Sequence, residues 1–114
     1  WLDISLGDYD SDYKIYRNIL GSTSTNRWIR FRLSAQNRVN RNAIGSRIYL
    51  ELSNGETLMQ ELKLGSSLGT NNELTLHFGL GSASIVRGTV RWPDGVSAPL
   101  LNLQVNTNNH IIYR

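Results

Sequence analysis

The feature that most constrains this chain is an alternation of apolar and polar side chains with a period of two, repeated in short runs along its length. Such a pattern puts every second residue on one side of an extended backbone, as in a strand with one face in a core and one in water. In residues 47–53, Ile48, Leu50 and Leu52 share one side, and Arg47, Tyr49 and Glu51 the other. Leu74, Leu76, Phe78 and Leu80 alternate with Glu73, Thr75 and His77, while Val86, Gly88, Val90 and Trp92 alternate with Arg87, Thr89 and Arg91. Further runs at 2–6, 13–20, 27–33, 57–64, 100–105 and 110–113 bring the expectation to about nine short strands, and helical spacing is sustained nowhere.

Turn chemistry agrees with this reading. Asn54-Gly55 between two alternating runs predicts a hairpin of type I′, because both residues tolerate positive φ. Pro93-Asp94-Gly95 predicts a second tight turn after Trp92, and both prolines are expected in turns. Short strands with this punctuation predict an all-β fold, an antiparallel β-sandwich or partly open barrel. With 114 residues there is chain for one core and not for two. No apolar run approaches the roughly 20 residues that a membrane-spanning helix needs.

The chain holds no cysteine, which excludes disulfides, thiolate metal sites and cysteine nucleophiles. It opens at Trp1 and its one methionine is Met59, so a processed or excised piece is expected. The net charge is +3, carried by ten arginines and two lysines. Arg27, Arg30, Arg32, Arg38, Arg41 and Arg47 crowd the first half, just after Asp8, Asp10 and Asp12, and mutual neutralisation on folding is expected.

Several patterns bear on chemistry. Gly65-Ser66-Ser67-Leu68-Gly69 fits the G-x-S-x-G nucleophile elbow, but strand rather than helix is expected after it, which favours a glycine-rich connection. The only histidines available as a base are His77 and His110, and His77 is expected at the surface or an edge. Gly79-Leu80-Gly81 begins like a dinucleotide fingerprint, but lacks the third glycine and the following helix; a bend or bulge is expected. Asp8, Asp10 and Asp12 alternate as in a calcium loop, yet the next acid is Glu51. Calcium at these three residues stands beside the alternative of solvated turn carboxylates, and no other cofactor is expected. Trp28-Ile29-Arg30-Phe31-Arg32 interleaves aromatic and basic residues, as nucleic-acid-binding sheets do. Phe31 shares the parity of Ile29 and Leu33 and is expected in the core, which removes the stacking platform and disfavours nucleic acid.

Three segments carry a family resemblance: Asn42-Ala43-Ile44-Gly45-Ser46-Arg47, Leu76-His77-Phe78-Gly79-Leu80-Gly81 and Val90-Arg91-Trp92-Pro93-Asp94-Gly95. In order and approximate spacing, residues 37–114 resemble the ASPIC/UnbV domain, the module that follows FG-GAP or VCBS propeller repeats in secreted proteins. Residues 1–36 are similar to a shortened repeat of that kind, expected to pack with the rest as one globular unit. The resemblance departs at Leu68, where an aromatic is common, and in the absence of a propeller. It implies an extracellular, non-catalytic β domain and supplies no catalytic residues.

Two functions follow as expectations. The first is a structural module that associates with copies of itself or with another extracellular protein. Its extended apolar start (Trp1, Leu2, Ile4 and Leu6) would add a strand to a neighbour and build a filament head to tail, with Ile111, Ile112 and Tyr113 forming a similar end. Pairing of these strands within their own sheet is the alternative. The second is a module for carbohydrate or acidic matrix polysaccharide, with Tyr9, Tyr13, Tyr16 and Trp28 as flat faces and Arg30 and Arg32 pairing with sulfate or carboxylate. No N-linked glycosylation signal is present, and the loop from Ser22 to Thr25 is open to O-linked sugar.

Overall fold

The computed structural model describes residues 1–65, 71 and 73–114. Among these the chain forms nine strands: β1 (Ile4–Leu6), β2 (Lys14–Tyr16), β3 (Arg27–Ala35), β4 (Arg47–Leu52), β5 (Thr57–Glu61), β6 (Leu76–Gly81), β7 (Ile85–Arg91), β8 (Ser97–Pro99) and β9 (Asn108–Tyr113), with a short 3-10 turn at Leu20–Ser22. They make a four-stranded sheet ordered β5-β4-β7-β8, a three-stranded sheet ordered β6-β3-β9, and a separate ribbon of β1 and β2. The fold is all-β, an open sandwich rather than a closed barrel.

The alternation decides which residues meet between the sheets. Ile29, Phe31 and Leu33 of β3 join Leu76, Phe78 and Leu80 of β6, Ile48, Leu50 and Leu52 of β4, and Val90 of β7 in one buried cluster. Phe31 meets Phe78 edge to face, with ring centroids 5.8 Å apart and planes at 83°. That geometry adds roughly 0.5–1.5 kcal/mol to the burial of two large rings. The Gln60 amide of β5 donates to the His77 carbonyl of β6 at 2.6 Å, tying the two sheets along one side.

The structure corrects several expectations. One pairing is parallel: β9 runs alongside β3 from Arg30↔Asn108 to Ala35↔Tyr113. Parallel strands need a long crossover, and the chain supplies it in the segment from β4 to β8. Both tight turns are three-residue hairpin loops. Gly55 and Gly95 have φ of 87° and 88°, and Asn54 is not among the residues with positive φ, so the first is not type I′. Each closes with the same pair of bonds, Gly55 N–H to Leu52 C=O and Leu52 N–H to Glu56 C=O in one, and Gly95 N–H to Trp92 C=O and Trp92 N–H to Val96 C=O in the other. That is the type I turn followed by a glycine bulge.

The expected strand at 100–105 is also displaced. The strand is β8, at 97–99, and Pro99 ends it on the sheet edge, where a missing N–H is tolerated. Asn102 and Asn106 then take φ of 55° and 56°, which breaks the extended path through Leu101, Leu103 and Val105. Val86, expected inward with Val90, is exposed, because the β4–β7 register shifts between Glu51 and Leu52 and passes over it. A second shift lies opposite Gly79–Gly81, the bend expected of those glycines.

Candidate interaction surfaces

β3 turns Trp28, Arg30, Arg32 and Ser34 outward, opposite in parity to its buried residues. The register sets His77 of β6 across from Arg30, and Asn108 and His110 of β9 across from Arg30 and Arg32. Trp28 and His77 stack with centroids 5.8 Å apart and planes at 13°. Trp28 faces Gly79, which brings no side chain, so the indole is left with open space beside it. The Arg30 guanidinium donates to both Glu73 carboxylate oxygens at 2.8 and 2.9 Å. Burial, with the nearby Arg30 charge, pushes His77 below its ordinary value and keeps the ring neutral around pH 7. Arg32 makes no ion pair among the described residues. Three of the expected ligand-binding residues therefore share one flat face, while Tyr9 and Tyr13 stand apart on the ribbon side, both exposed.

Ser34 Oγ lies 2.9 Å from His110 Nε2 on this same face. Sequence reasoning missed this contact, since the partners are far apart in the chain and come together only through the parallel pairing. A serine beside an imidazole has the first two groups of an acyl-transfer site, but such a site also needs a third group to orient the base. No carboxylate is hydrogen-bonded to the His110 ring among the described residues. Of the nucleophile-elbow pattern only Gly65 lies within the described residues; Ser66 to Gly69 lie outside them.

The ribbon is the second surface. Ile4 pairs with Tyr16, Ser5 with Ile15 and Leu6 with Lys14, so Leu2, Ile4, Leu6 and Tyr16 fall on one face and make an apolar stripe. Every residue of both strands is exposed. Trp1 lies over Gly21, where an added Cβ would collide with the indole. The base of the ribbon is tied by the Asp3 carboxylate, which accepts from the Asn18 backbone N–H at 2.7 Å. At the tip, Asp8 accepts from Ser11 Oγ at 2.9 Å, and that bond holds its carboxyl below the usual range. Asp8, Asp10 and Asp12 do not converge: no three acidic or histidine side chains are grouped as metal ligands among the described residues. Nor do they neutralise the arginines. The ion pairs among the described residues are Arg30–Glu73, Arg47–Glu61 and the longer Arg87–Glu51.

The chain's other end is held at home. Tyr113 stacks on Trp92 with centroids 4.6 Å apart and planes at 5°, and its hydroxyl donates to Asp94 at 2.8 Å. Ile111, Ile112 and Tyr113 pair with β3.

These features define an all-β domain of two facing sheets that carries an appended ribbon. A family model described as ASPIC and UnbV matches residues 36–114, and the chain belongs to that family. None of the curated proteins compared with it matches. Each of the three motif segments has a defined place in the fold. Asn40 accepts from the Ile44 N–H and donates to the Ile44 C=O through its side chain, and Gly45, at φ 96°, donates to the Leu62 carbonyl. The second motif is β6 itself, and the third is the end of β7 with its turn.

Proposed function

We propose that the chain is a non-catalytic extracellular module that associates with copies of itself through its N-terminal ribbon, head to tail, as in a filament. One observation carries this reading: β1 and β2 bear an exposed apolar stripe and, among the described residues, pair only with each other. A two-stranded ribbon is marginal in water unless it packs against something more. An open strand edge flanked by apolar side chains is the kind of surface that adds to a neighbour. The extracellular setting is supported by the resemblance to modules of secreted proteins. The non-catalytic reading is supported by the open surroundings of Ser34 and His110, and it needs no cofactor. Sedimentation of the full chain at micromolar concentration should yield assemblies, and removal of residues 1–6, which deletes β1, should yield soluble monomers that keep the two facing sheets. Continued assembly by the shortened chain would overturn the reading.

A second reading is favoured by the convergence of Trp28, Arg30 and Arg32 on one face. There the module would take an acidic polysaccharide, the indole against a sugar ring and the guanidinium groups against sulfate or carboxylate. Binding to a sulfated polysaccharide should then fall steeply with salt and be weakened by Arg32→Ala. Indifference to such polymers removes it.

A further inference from the structure

The apolar stripe needs a receiving surface, and one lies at the β7–β8 end of the four-stranded sheet. Here Gly88 lets the chain after β8 close down on β7: an added Cβ would stand 3.0 Å from Leu103 and 3.2 Å from Leu100. The result is a groove of about 500 Å³ with an apolar lining that includes Val86, Leu101, Leu103 and Val105. Val86 and Leu101 are 69% and 72% exposed, although both are aliphatic. Val86 is there because the bulge in β7 aims it out of the core, and re-aiming of this kind recurs at binding sites.

Two cations rim the groove. Arg27 donates to the Ser82 and Ala83 carbonyls at 2.8 Å each and has no carboxylate partner among the described residues, while Arg87 stands 3.8 Å from Glu51. The first strand and tip of the ribbon offer the complement, with Lys14 following at the start of β2. Residues 1–13 carry four aspartates and no lysine or arginine, whereas residues 14–114 hold all twelve basic side chains against five carboxylates. No ribbon residue lines the groove of its own chain. A second cleft, next to β5, already touches its own Leu2, and its carboxylates Glu61 and Glu73 are paired with Arg47 and Arg30.

We infer that this groove receives the ribbon of a second copy: Ile4 and Leu6 seat against Val86, Leu101 and Leu103, and the aspartates of the tip reach Arg27 and Arg87. The inference rests on the self-association proposed above and supplies its other half. Because the ribbon and the groove are different surfaces, the contact is heterologous and propagates instead of closing as a symmetric pair.

The test uses three full-length variants and one shortened chain. Val86→Asp with Leu101→Asp alters exposed positions and should leave the thermal transition in place, yet reduce the assembled mass to that of a monomer. A chain lacking residues 1–6 keeps its groove and lacks the donating strand. Mixed, the groove variant and the shortened chain should form a 1:1 dimer that grows no further, since one brings the ribbon and the other the groove. Arg87→Glu should weaken assembly at least tenfold, and Asp10→Lys in the same chain should restore part of it. If the groove variant assembles like the unaltered chain, or the mixture stays monomeric while the unaltered chain assembles, the groove is wrong and ribbon-mediated association survives. If the unaltered chain is monomeric throughout, both proposals fall.

Discussion

His77 shows how one side chain joins burial, charge and surface. It belongs to the polar parity of β6, yet its stack on Trp28 leaves it half-buried, and desolvation together with Arg30 opposes protonation while Glu73 acts the other way. Its folded value therefore lies below the unfolded value of about 6.5, and the unfolded chain takes up the proton first. Stability should fall as pH drops through about 6.5 and level off once pH is below the depressed folded value. Urea midpoints from pH 8 to 5 should show this slope in the unaltered chain and a flatter one in His77→Gln; equal slopes would mean that His77 is not the group. Parity in the sequence was enough to send Phe31 inward and Trp28 outward. It was not enough for Val86, because a bulge in the partner register breaks the alternation, nor for Ser34 and His110, whose meeting depends on a pairing across most of the chain.

At the scale of elements, the two ends of the chain differ in what holds them. β9 is paired along its length with β3 and pinned by Tyr113, which stacks on buried Trp92 and bonds Asp94. Tyr113→Phe should cost about 0.5–1.5 kcal/mol, the net worth of one hydrogen bond. Tyr113→Ala should cost more, because the stack, worth a further ~0.5–1.5 kcal/mol, goes with it. Chemical denaturation of both variants measures the difference, and equal losses would assign the whole effect to the hydroxyl. Among the described residues the fastening of β1 lies at its base: Trp1 over Gly21, the Asp3–Asn18 bond, the Asn18 side-chain amide donating to the Leu2 carbonyl at 3.2 Å, and Leu2 beside β5. The expected strand at 13–20 is shorter for a local reason: the Asn18 side chain accepts from the Leu20 N–H and turns the chain into the 3-10 turn.

For the molecule as a whole, the family match and the folding unit do not share a boundary. The match begins at residue 36, directly after β3, yet β3 is the central strand of its sheet and brings Ile29, Phe31 and Leu33 to the core. Each such side chain is worth roughly 2–5 kcal/mol, so losing three removes most of the roughly 5–15 kcal/mol that stabilises a domain. Residues 36–114 alone should show no cooperative thermal transition, whereas residues 23–114 should keep one; a cooperative 36–114 fragment would make β3 an accessory. The sequence by itself determined the class of fold, the punctuation of its hairpins and most of the large side chains that face the core, because period-two alternation and turn chemistry are local properties. Only the tertiary structure decided that β9 runs parallel to β3, that Val86 faces out, and that one apolar end is paired while the other stands free. Those outcomes depend on which distant strand each segment meets, and a strand's own residues choose its inward face without choosing its neighbour.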